Sequence, residues 1–136
     1  MATASISSSF AISVIQSAAA AETINVANPG RSLTINQVSI RWTAMNANPA
    51  LSTVTISKVT AAGVVTGLFA GAIEGNRVAA PVQSGDTDNN TQIFFAQQNS
   101  SFSATDNIRI VTADAATQVE ITLYCIGNPS ASLTVT

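Results

Sequence analysis

Histidine is absent from this chain, cysteine occurs once, and Asp, Glu, Lys and Arg together make up only 9% of its 136 residues. The first absence removes the commonest general base and metal ligand, and with it any Ser-His-Asp or Cys-His arrangement. The second excludes an internal disulfide and any zinc site built on cysteine pairs. No G-x-S-x-G elbow and no Walker-type GK[ST] loop occurs in the sequence. Seven carboxylates remain, Glu22, Glu74, Asp86, Asp88, Asp106, Asp114 and Glu120. They read as solvated turn residues, so no catalytic, cofactor-binding or metal-ligating residue is expected, and no enzyme activity.

The shortage of charge also restricts partners. An ordinary soluble domain carries about 25% charged residues. Here four arginines and one lysine are scattered singly, net charge is -2 and the pI is near 4.7, which gives nucleic acid no basic footprint. No apolar run approaches the ~20 residues of a membrane-spanning helix, and no membrane partner is expected. The stretch SSSFAISVIQSAAAAE ends in small residues like a signal-peptidase site after Ala20 or Ala21. No Lys or Arg precedes it and serine dilutes its apolar part, so the expectation is a protein made and used without export.

What fills the chain instead is uncharged polarity: 50 residues are Ser, Thr, Asn or Gln, beside a hydrophobic content of 46%. That balance lies on the folded side of the divide between ordered and disordered chains. One domain over residues 1–136 is expected, large enough to remove roughly two-thirds of the unfolded chain's surface from water. The clearest two-residue period runs from Thr117 to Ile126, with Val119, Ile121, Leu123 and Cys125 on one face and Glu120, Thr122 and Tyr124 on the other. This spacing predicts a half-buried central strand, with Cys125 as a small buried hydrophobe.

Similar alternation predicts strands at Phe10 to Ile15, Ile24 to Val26, and Leu33 to Thr43, the last with a register change near Asn36 that signals a bulge. Ala18 to Ala21 reads as a link or a short helical turn. Val54 and Ile56 lead through Ala61-Ala62-Gly63 into Val64 to Ala70, a hairpin pattern. Val78 to Val82 reads as an edge segment holding Pro81, and Ser84 to Asn90 as a polar loop. Gln92 to Ala96 is a strand with Ile93 and Phe95 on one side and Phe94 on the other. Ile108 to Thr112 and the central strand read as a hairpin, and Leu133 and Val135 are expected to close the sheet. Eight to ten short strands with turns at near-regular intervals predict an all-β, two-sheet antiparallel sandwich, most economically a jelly roll.

Three local patterns could carry chemistry. Asp86, Asp88 and Asn90 repeat as oxygen ligands do in a calcium loop, but Thr91 stands where Gly is needed and Gln97 where a bidentate Glu belongs. A solvated loop is expected there. Asn89-Asn90-Thr91 and Asn99-Ser100-Ser101 match the glycosylation sequon, which matters only in a secretory compartment. Trp42 shares a face with Val38 and Ile40 and belongs in the core; Tyr124 shares one with Glu120 and Thr122 and is the candidate exposed aromatic for a sugar-binding site.

Exposed β-edges are usually guarded by charge, above all lysine, and this chain has only Lys58. Neighbouring copies or another protein are therefore expected to cover them. In its Ser/Ala-rich start MATASISSSFAISV, in NIRIVTADAATQVEITLYCIG from Asn107 to Gly127 and in its final ASLTVT, the chain resembles the small β-rich virion proteins of tailed bacteriophages, in particular capsid decoration or cement proteins. That resemblance implies a structural virion protein, assembled in the host cytoplasm, that clamps the major capsid protein or other virion subunits. It also implies a homo-oligomer, a trimer by analogy, with residues 1–9 as an N-terminal arm. The alternative is a carbohydrate-binding sandwich on a viral or cell-surface appendage.

Overall fold

The computed structural model describes residues 4–6, 8–28, 30–75, 91–127 and 131–133. Its strands are β1 (Ala4–Ile6), β2 (Ser9–Ile15), β3 (Glu22–Val26), β4 (Leu33–Ala44), β5 (Thr53–Val59), β6 (Val65–Gly67), β7 (Ile73–Glu74), β8 (Thr91–Phe95), β9 (Ser101–Phe102), β10 (Asn107–Thr112), β11 (Gln118–Gly127) and β12 (Ala131–Leu133). One sheet runs β2-β11-β4-β8, with β9 also on β4; the other runs β3-β10-β5-β6, with β7 also on β5. Every pairing is antiparallel.

The pairs nest: β2 with β11, β3 with β10, β4 with β8 and β5 with β6. A single long antiparallel ribbon, rolled so that alternate pairs fall in opposite sheets, produces this order, which is the jelly roll anticipated from strand spacing. The two inner faces share one core of Leu33, Ile35, Val38, Ile40 and Trp42 from β4, Val54 and Ile56 from β5, Ile108 and Ile110 from β10, and Val119, Ile121, Leu123 and Cys125 from β11.

β11 is central, as its period predicts, lying between β2 and β4. On β4, Gln37 pairs with Tyr124 and Ile35 with Cys125, so Asn36 is an extra residue in a bulge. The bulge lets Leu33 and Ile35 point into the core along with Val38, Ile40 and Trp42, although the two sets are out of phase. A second register shift, at Thr43, falls between the Trp42–Val119 and Ala44–Gln118 pairs. The β5–β6 hairpin forms as expected and turns on Gly63, whose φ of +84° suits a residue without a side chain.

Two expectations are corrected. β10 and β11 form no hairpin: β10 pairs with β3 and β5, β11 with β2 and β4, and residues 113–117 cross between the sheets. The reason lies at the corner. The β2–β3 link crosses beside it, with the Ala20 amide donating to the Thr117 carbonyl and the Gln16 amide to that of Val119. Buried Gln16 and Thr112 complete the joint: Gln16 Nε2 donates to the Ala20 carbonyl, and the Thr112 hydroxyl donates to that carbonyl and accepts from the Glu22 amide. Two adjacent crossings can satisfy each other's backbone; one alone would leave buried polar groups unpaired. Second, the C-terminal strand does not close a main sheet, because β12 pairs with β1 in a separate two-stranded ribbon. The expected edge segment 78–82, the expected loop 84–90 and Val135 lie outside the described residues, as do residues 1–3 and 7 of the expected arm.

Candidate interaction surface

Alternation places every second side chain of β2, β11, β4 and β8 on the outer face of their sheet, where they align in transverse rows. One row holds Ala11, Tyr124, Gln37 and Phe95; the next holds Ser13, Thr122, Ser39 and Ile93; a third holds Ile15, Glu120 and Arg41. The exposed large hydrophobic residues gather here. Phe95 is 72% exposed, Ile15 68%, Ile93 57% and Tyr124 41%, with Ile126 beside them; among the described residues only Leu51, Val64 and Val65 are comparable elsewhere. The charge on this face is one ion pair, Arg41 Nη1 to Glu120 Oε2 at 2.8 Å, with both side chains over a third exposed. In that setting it contributes about 1 kcal/mol or less.

Two concavities border this face among the described residues. The larger, about 670 Å³, lies along the β8 margin between Ile93–Gln97 and Phe69–Ile73. Its floor is held by an edge-to-face contact of Phe69 with Phe94, ring centroids 6.2 Å apart, and by Gln97, whose Oε1 accepts from the Ala70 amide at 3.0 Å. The smaller, about 410 Å³, is lined by Ser9, Phe10, Ala11, Asn36, Gln37, Tyr124, Cys125 and Ile126 at the β4 bulge.

The residues singled out from sequence fall as follows. Trp42 is buried, and Tyr124 stands on the outer face. Cys125 is buried, and desolvation pushes its thiol up to about 11. Asp106 Oδ2 accepts from the Ser103 amide at 2.9 Å, and Asp114 accepts from the Ala116 amide and from Asn46 Nδ2, so both brace turns. Glu120 is engaged by Arg41. Among the described residues, no group of three or more His, Cys, Asp or Glu is placed to hold a metal. Asp86, Asp88 and Asn90 of the calcium-like run, and Asn89 of the first sequon, lie outside the described residues. Asn99 of the second sequon donates from Nδ2 to the Gly67 carbonyl. Sequence reasoning missed the importance of Ile93 and Phe95, because β8 is apolar on both sides and alternation alone does not say which side is inward.

No family model matches the sequence, and no curated protein matches it. Similar solved structures include a chain from Bacillus endospore appendages, a family of disulfide-linked pili, at 16% identity over 96% of this chain and 93% of that one, TM-score 0.39. A serine protease of Aeromonas sobria matches at 14% identity over 94% of this chain but 28% of its own, TM-score 0.41. A chain of Maize Chlorotic Mottle Virus matches at 14% identity over 98% and 97%, TM-score 0.30. At TM-scores below 0.5 none of these bears on what this chain does, and the functional reading rests on its own residues.

Proposed function

We propose that this chain is a non-catalytic structural subunit that assembles with copies of itself through the β8 margin, and that it serves as a capsid decoration protein seated on a major capsid protein in a virion. The observation that carries the reading is the composition of the sheet ends. Among the described residues the two sheets end in β2, β8 and β9 and in β3, β6 and β7; of these only β3 and β7 hold a charged residue, Glu22 and Glu74, and none holds a lysine or arginine. Soluble monomers protect such edges with charge, most often lysine. Lys58, the only lysine of the chain, is engaged elsewhere: its Nζ donates to the Ser101 carbonyl at 3.2 Å and lies 5.9 Å from the Phe102 ring centroid. At β8, which holds no charged residue, the edge coincides with Ile93, Phe95 and the larger groove, an apolar surface of the kind that marks protein contacts.

Native mass at micromolar concentration tests the assembly. The wild-type chain is expected to be oligomeric, and Phe95→Lys to be monomeric and still folded, since Phe95 is 72% exposed, with an unfolding temperature lowered only by the stabilisation that assembly supplies. A wild-type monomer at high concentration overturns the proposal. Co-sedimentation with purified capsid shells tests the finer reading: an oligomer that ignores shells leaves a structural subunit but removes the decoration role.

A further inference from the structure

We propose that the groove beside Tyr124 is a binding subsite for one neutral pyranose ring of a glycan. It uses the β2 side of the outer face and adjoins the β8 margin at Gln37, the cross-strand neighbour of Phe95. Three features of the groove match that ligand. First, Tyr124 is 41% exposed and stands directly opposite Ala11, whose methyl group can cover little of it, with Gln37 opposite on the other neighbouring strand. A half-exposed aromatic ring offers a face that can stack against the C–H surface of a sugar ring.

Second, the bulge places two consecutive amides, Asn36 and Gln37, at the groove. Neither side chain makes a hydrogen bond to another described residue, so each retains a donor and an acceptor for vicinal hydroxyls. A regular strand would send one of two consecutive side chains inward. Third, the lining contains no charged residue, and the Glu120–Arg41 pair is two rows away and mutually neutralised. Among the described residues the nearest unpaired charge is the Arg31 guanidinium, seated 4.5 Å from the ring centroid of Phe10 at the groove's margin, and a neutral sugar needs no countercharge. The volume of about 410 Å³ leaves room for one such ring.

Tyr124 is the only tyrosine of the chain, which gives a direct test. Ring-labelled tyrosine yields one set of NMR signals, to be followed while neutral gluco-, galacto- and manno-oligosaccharides, and sialylated and sulfated counterparts, are added. At least one neutral series is expected to shift these signals with saturation, and Gln37→Ala is expected to weaken that binding several-fold. Tyr124→Ala, followed by ligand-observed NMR, should weaken it about tenfold, as loss of a stacking partner does. No saturable shift with any neutral sugar overturns the proposal. So does binding that survives Tyr124→Ala, or a stronger response to the acidic sugars.

Discussion

Cys125 is packed into the core on the inner side of β11, and burial raises its thiol from the ordinary 9.0 to about 11. Between these values an unfolded chain gives up the proton and the folded chain keeps it. The folded state then binds more protons, so stability falls as pH rises. The contribution is complete below about pH 9 and is lost as pH climbs through about 11, with a slope of at most ~1.4 kcal/mol per pH unit. Cys125→Val should remove that slope, measured as the difference between the two proteins' urea unfolding curves from about pH 8 to pH 11. Gly75 is constrained for another reason: a Cβ there would meet Met45 Sδ, the Pro49 carbonyl oxygen at 3.0 Å and that of Ser52 at 3.3 Å. The two carbonyls belong to backbone and cannot swing aside. Gly75→Ala is therefore expected to destabilise the fold by about 1–3 kcal/mol in thermal or chemical unfolding.

At the scale of elements, the bulge on β4 governs which side chains enter the core. Deleting Asn36 would restore a regular ladder and turn one end of the strand over, exposing Leu33 and Ile35 or forcing β11 to slip. Each of these side chains stabilises the fold by roughly 2–3 kcal/mol when fully buried, so the deletion should unfold the protein or leave it insoluble; Asn36→Gly keeps the bulge and should fold. This bulge was legible in the sequence because two apolar alternations, Leu33/Ile35 and Val38/Ile40/Trp42, stand out of phase. The partner of β10 was not legible. Alternation tells which face of a strand is buried, and Ile108 and Ile110 satisfy it equally in a hairpin with β11 or across the sandwich. What decides is the corner at Gln16, Thr112 and Thr117, whose hydrogen bonds join residues some ninety or more positions apart. The groove beside Tyr124 was half legible: the exposed tyrosine follows from period two, but Ala11 opposite it follows only from pairing.

For the whole molecule, the scarcity of charge makes a statement about assembly conditions. Contacts made by Ile93, Phe95 and neutral polar groups would have little to lose to screening, so the proposed oligomer is expected to persist from low salt to about 1 M, where the Debye length is ~3 Å. Native mass across that range checks this; dissociation on adding salt would show that ion pairs hold the assembly. Composition and period, taken alone, determined that the chain is an all-β sandwich with Trp42 and Cys125 inside, Tyr124 outside and little charge to guard its edges, because these properties depend on the local order of apolar and polar residues. Only the tertiary structure decided which strands are neighbours, which edges lack charge, and that the exposed hydrophobic residues of β2, β8 and β11 share one face. Pairing between distant strands is selected by the joint burial of all the apolar faces and by closure of the buried hydrogen bonds at the corners, and no single stretch of sequence contains both partners.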